Sequence, residues 1–117
     1  MSAIGWIEIP ARDLERSAAF YEAVFGWEID REGPFEGYFT FRYPTGESAG
    51  ALTDQWEPAS QPGVMIYIET DEIDDALARI IEQGGSTVQP KTLIDEDTGW
   101  WASFQDPAGN QVGLFQG

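Results

Sequence analysis

A chain of 117 residues with 42% apolar side chains has enough material for one domain with a real core, and its 21 acidic against 6 basic residues (net charge −15) disfavour nucleic-acid binding. The absence of cysteine and histidine removes disulfides, thiol catalysis and the commonest general base and metal ligand. No apolar run approaches the roughly 18 residues of a membrane span and the start lacks a leader pattern, so a cytoplasmic location with no membrane partner is expected.

The first segment, Ile4 to Pro10, reads as a strand with Ile7 and Ile9 on one face and Trp6 and Glu8 on the other. Asp13 is a good N-cap for a helix from Leu14 to Phe25, whose apolar positions Leu14, Ala18, Tyr21 and Phe25 recur at helical spacing, and Gly26 closes it. Trp27 to Asp30 is a short strand with Trp27 in the core. Arg31 to Gly37 is a charged loop, and Tyr38 to Tyr43 a strand with Thr40 and Arg42 opposite Phe39 and Phe41. Pro44, Thr45 and Gly46 turn the chain into Glu47 to Leu52, and Thr53 to Gly63 is linker-like.

The order then repeats. Val64 to Glu69 is a strand, Asp71 caps a helix from about Ile73 to Gln83, and Gly84 and Gly85 end it. Thr87 to Lys91 is a weaker strand and Leu93 to Gly99 an acidic loop. The chain closes on a hairpin whose turn, Asp106 to Asn110, supplies an Asp that bonds nearby backbone, a Pro that fixes φ and a Gly that tolerates positive φ. An offset of 59 carries Trp6 to Met65, Leu14 to Ile73 and Gly26 to Gly85; an offset of 63 carries Phe41 to Phe104, Gly46 to Gly109 and Gly50 to Gly113. One four-residue insertion after the helix explains the change, and two βαβββ modules result.

The expected fold is therefore α+β: two βαβββ modules forming a curved mixed sheet with a concave groove and the helices outside. A single domain spans 1–117, with module 1 at about 1–53, a linker at about 54–63 and module 2 at about 64–117. One sheet face is consistently apolar: Ile7, Ile9, Phe39, Phe41, Val64, Ile66, Ile68, Phe104, Val112 and Leu114. The other face is mixed and suits a ligand groove. Its candidate ligand-binding residues are Trp6, Glu8, Tyr38, Thr40, Arg42, Met65, Tyr67, Trp101, Ser103, Gln105, Gly113 and Phe115; Trp56 and Trp100 fall on neither face. Flat aromatic walls suit planar or apolar ligands, or else a dimer interface, and the acidic field favours cationic or neutral ones. With one lysine, Lys91, the scattered acidity also fits adaptation to high salt.

Three motifs in order carry a resemblance: Phe20 to Trp27 after the first helix, Asp71 to Asp74 opening the second, and Asp106 to Asn110 near the end. Together they resemble the vicinal oxygen chelate superfamily, which includes glyoxalase I, extradiol dioxygenases, fosfomycin-resistance enzymes and bleomycin-resistance proteins. The resemblance covers essentially the whole chain and is nearest to small glyoxalase-like proteins. It implies a homodimer. It also implies a divalent metal held by His, Gln or Glu at positions that fall at or near Trp6, Gly50, Met65 and Gly113, none of which is a normal hard-metal ligand. No metal and no cofactor are therefore expected.

Glu8 is the remaining catalytic candidate. Beside Trp6 and Trp101 it could act as a general base; it could equally be paired with Arg42 or a backbone donor, or be an off-register metal ligand. Three readings follow: a metal-independent protein that binds a small planar or apolar molecule, a lyase or isomerase in which Glu8 moves a proton, and a structural dimer with a vestigial groove.

Overall fold

The computed structural model describes residues 2–117, and the chain forms two compact units, Met1–Pro58 and Ala59–Gly117. The first contains β1 (Ile7–Pro10), α1 (Leu14–Phe25), β2 (Glu28–Asp30), β3 (Tyr38–Arg42) and β4 (Ser48–Thr53). The second contains β5 (Tyr67–Glu69), α2 (Ile73–Glu82), β6 (Ser86–Asp95), β7 (Gly99–Gln105) and β8 (Gln111–Gln116). Each unit is thus βαβββ, and the sheet orders β1-β4-β3-β2 and β5-β8-β7-β6 are the same winding twice. In both, the first strand pairs parallel with the last and the remaining pairs are antiparallel.

Helix α1 starts where Asp13 accepts a hydrogen bond from the Arg16 N–H at 3.1 Å. It stops at Gly26, whose φ of 70° is a left-handed conformation that a glycine takes without strain. Its buried face, with Ala18, Phe20, Tyr21 and Val24, packs on the first sheet. The core there is a stack of rings: Tyr21 on Trp27 with centroids 4.8 Å apart, and Trp27 on Phe41 at 4.4 Å. Each such pair adds about 1 kcal/mol beyond the area it buries.

Helix α2 is capped by Glu72, one residue after the expected Asp71. The longer Glu72 side chain reaches forward and accepts from the Asp74 N–H at 3.2 Å, while the Gln116 side chain accepts from the Ile73 N–H at 2.8 Å, so two otherwise orphaned donors are satisfied. Its buried residues Ile73, Ala76, Leu77 and Ile80 pack on the second sheet. Beneath them the register places Ala102, Phe104, Val112 and Leu114, all buried.

Three strand limits differ most from expectation. β1 begins only at Ile7, where a strand from Ile4 was expected, and Ile4 is exposed outside any ladder. β5 begins only at Tyr67, and Val64, expected in the core, is 83% exposed; after Pro62 and Gly63 the ladder is extended backwards only by the Gly113 N–H to the Ile66 carbonyl. β6 runs on to Asp95, where a loop from Leu93 was expected, because Leu93 pairs with Trp100 and Asp95 with Gly99. Asp95 then makes the turn itself, accepting from the Asp97 and Thr98 N–H groups. Pro90 is tolerated because β6 is an edge strand, and the register shifts around it.

The turn between β7 and β8 rests on Asp106, which is 3% exposed. Its Oδ1 accepts from the N–H groups of Ala108, Gly109 and Asn110 at 2.9 to 3.0 Å, and its Oδ2 accepts from Asn110 Nδ2 at 3.1 Å. Asn110 in turn accepts from the Ala59 N–H at 3.1 Å, which ties the start of the second unit to its own closing hairpin. No helix among the described residues is long and apolar enough to cross a membrane.

Candidate functional site

In the first unit, strand pairing puts Glu8, Ala51, Thr40 and Asp30 in one row across the sheet, on the face opposite α1. Tyr38 and Arg42 lie on this same face, two residues to either side of Thr40. Glu8 on β1 and Arg42 on β3 are therefore separated by a whole strand, roughly 10 Å, in addition to their offset along it. The Glu8–Arg42 pair, one of the alternatives for Glu8, does not form.

Glu8 binds two aromatic residues instead, and a third reaches it through one of them. Tyr38 donates its hydroxyl to Glu8 Oε2 at 2.8 Å, and Trp56 donates its indole N–H to Glu8 Oε1 at 2.6 Å. Trp6 donates its own N–H to the Tyr38 oxygen at 2.7 Å. Ala51, between β1 and β3, contributes only a methyl group, which leaves the Tyr38 side chain room to reach across. Tyr38 is buried, with Phe35 against it at 4.6 Å between centroids. Burial first, and then its bond to the Glu8 carboxylate, push the Tyr38 hydroxyl above its ordinary pKa, so it stays a neutral donor.

Trp6 is 44% exposed and forms a wall of a cleft of about 500 Å³, whose floor and other walls come from Glu28, Ile29, Asp30, Thr40, Phe41, Arg42 and Ser48. Glu8 stands outside that lining. Arg12, Arg31 and Lys91 are each paired with carboxylates, whereas no hydrogen bond or ion pair holds the Arg42 guanidinium among the described residues. Trp56 and Phe35, neither of them a sequence candidate, are the residues that sequence reasoning missed; the signal for Trp56 was an aromatic donor in an otherwise polar, proline-containing stretch.

In the second unit the register places Tyr67 beside Gly113 and Gly113 beside Ser103, with Trp101 beside Phe115 and Gln105 beside Gln111. These candidates do share the face opposite α2. Tyr67 is half-exposed, Trp101, Gln105 and Phe115 are partly covered, and Ser103 and Gly113 are buried. Met65 lies before β5, outside the regular pairing. Trp100, on the other face of β7, holds Lys91 over its ring at 4.8 Å, and Lys91 also pairs with Glu72 at 3.0 Å.

The family description of the Glyoxalase/Bleomycin resistance protein/Dioxygenase superfamily matches residues 3–114. This chain belongs to that superfamily. Among relatives, CFP32 of Mycobacterium tuberculosis, which bears a glyoxylase name, is 27% identical over 117 residues; the match takes in 95% of this chain and 44% of that protein, so the chain spans less than half of that relative's length. A lactoylglutathione lyase of Neisseria meningitidis is 27% identical, over 89% of this chain and 83% of the relative. Among solved structures, TnmS3, an antibiotic binding protein from Streptomyces, superposes with a TM-score of 0.69 at 26% identity, over 99% of this chain and 96% of that one. The fosfomycin resistance protein FosX of Listeria monocytogenes shares the fold, with a TM-score of 0.80 at 18% identity over 100% and 92%.

The four positions at which the superfamily resemblance implies metal ligands do not fit a hard divalent ion. Trp6 presents an N–H that is already donated to Tyr38, and Met65 presents a thioether, which suits soft metals. A side chain begun at Gly50 would overlap the Ile7 carbonyl, and one begun at Gly113 would overlap the Tyr67 ring.

Proposed function

We propose that this superfamily member binds a small planar molecule in the cleft beside Trp6, without a metal ion at the family positions. The observation that carries the reading is that Trp6 is both a half-exposed wall of the cleft and fixed by its N–H to Tyr38. An exposed indole held in one orientation has already lost the rotamer freedom that a ligand would otherwise have to remove. That TnmS3, of similar fold, is an antibiotic binding protein supports a binding role. The face of the second unit that carries Tyr67, Trp101 and Phe115 is proposed as a further aromatic contact surface.

Glu8 then anchors aromatic residues and is not the base of a lyase or isomerase. Both its oxygens accept hydrogen bonds, and it stands outside the cleft. The test is intrinsic tryptophan fluorescence of the wild type and Trp6→Phe against a panel of planar compounds. Saturable quenching in the wild type that is lost in Trp6→Phe is expected. A panel in which nothing quenches, or in which the variant responds like the wild type, contradicts the reading; turnover of a glyoxalase-type substrate that Glu8→Gln abolishes would restore the catalytic one.

A further inference from the structure

Three donors without side-chain partners meet in the cleft of the first unit: the Arg42 guanidinium and the hydroxyls of Thr40 and Ser48. Arg42 pairs with Ser48 in the β3–β4 register, and Thr40 lies two residues away on the same face of β3. The register shift between Phe41 and Arg42 brings Ser48, not Ala49, opposite Arg42 and so sets a hydroxyl beside the guanidinium. Trp6 forms another wall of the same cleft.

Two carboxylates also line it. Asp30 accepts from the Glu32 N–H at 2.9 Å and so is held by its own loop. Glu28 is the cross-strand partner of Arg42 on β2, yet the two form no ion pair. The guanidinium therefore keeps its planar fork of donors, the geometry that matches a carboxylate in two parallel bonds.

We propose that Arg42, with Thr40 and Ser48, forms an oxyanion subsite, and that the cleft takes a planar aromatic carboxylic acid whose ring lies against Trp6. The inference rests on the binding reading above and narrows it to a ligand class. It also reverses, at one spot, the preference for cationic or neutral ligands that the net charge of −15 suggests. The whole-protein field is screened beyond about 8 Å at physiological ionic strength, whereas a guanidinium–carboxylate contact acts inside that distance. The local donors decide which ligand stays; the field only slows its approach.

Isothermal titration calorimetry of the full chain with naphthoate and with naphthalenemethanol, which share a ring system and differ in charge, tests this. The wild type is expected to bind naphthoate about tenfold more tightly than the alcohol, the factor one charge-assisted contact supplies. Arg42→Gln should bind the two alike, and Arg42→Lys should keep part of the preference, because it keeps the charge and loses the fork. Arg42 is exposed, so the fold should survive both changes, which circular dichroism checks. Equal affinities in the wild type, or a preference that persists in Arg42→Gln, overturns the oxyanion subsite while leaving the binding cleft intact. Failure of both compounds to bind overturns the subsite and the cleft reading together.

Discussion

Tyr38 on β3 donates to Glu8 on β1 at 2.8 Å across the strand that separates them. This bond reaches over β4 through the space above Ala51, and the same phenol oxygen receives Trp6. Removing the hydroxyl in Tyr38→Phe breaks both bonds but keeps the ring against Phe35. The expected loss of stability is about 1–3 kcal/mol, two modest hydrogen bonds. Affinity for a planar ligand should fall roughly three- to tenfold, as Trp6 regains rotamer freedom. Chemical denaturation and fluorescence titration of the same variant measure the two effects separately.

The raised pKa of Tyr38 has a definite sign in stability. The unfolded chain loses this proton near its ordinary pKa of about 10, before the folded chain does. The contribution is therefore complete below pH 10 and is lost as pH climbs from there through the folded value. Thermal midpoints followed from pH 8 to 11 should fall more steeply in the wild type than in Tyr38→Phe. Parallel curves would mean that the hydroxyl is not held as described.

Asp106 is the side chain on which most of the β7–β8 turn's hydrogen bonds converge: three backbone N–H groups and the Asn110 amide donate to it. Asp106→Ala leaves buried donors without acceptors and should cost about 3 kcal/mol. Asp106→Asn, which keeps one acceptor oxygen, should cost about 1 kcal/mol. Urea unfolding of the two variants provides the comparison, and equal losses would contradict the hydrogen-bond assignment.

Gly113 has no side chain because the Tyr67 ring occupies that volume. Gly113→Ala should turn the half-exposed Tyr67 outwards at a cost of about 1–2 kcal/mol, typical of overpacking. A rise in Tyr67 accessibility, measured by nitration or by solvent exchange in NMR, is the expected sign. An unchanged Tyr67 would show that the backbone yields instead.

The parts of the fold governed by local chemistry were readable from the sequence. Asp13, Gly26 and the Asp106–Asn110 turn each satisfy their own neighbouring backbone, so their roles follow from residue type and position alone. The division into two similar units and the two faces of the closing hairpin followed from periodicity. What escaped depended on which strands pair and on how far each pairing runs. Val64 has the right composition for a strand but no partner, and β6 is extended by β7, not by its own acidic residues. At the site, the sequence placed Trp6, Glu8, Tyr38 and Arg42 on one face but could not say which would touch. That choice was made by strand order, which inserts β4 between Glu8 and Arg42, and by Trp56, which enters from outside the strands.

The most direct test of the binding cleft is the set of indole N–H signals in a heteronuclear NMR spectrum of the chain, one from each of its five tryptophans. The Trp6 signal is assigned by its loss in Trp6→Phe. On titration with naphthoate it should shift progressively to saturation, while that of the buried core residue Trp27 stays in place. A titration that leaves the Trp6 signal unmoved, or moves every indole signal alike, would contradict a ligand site beside Trp6.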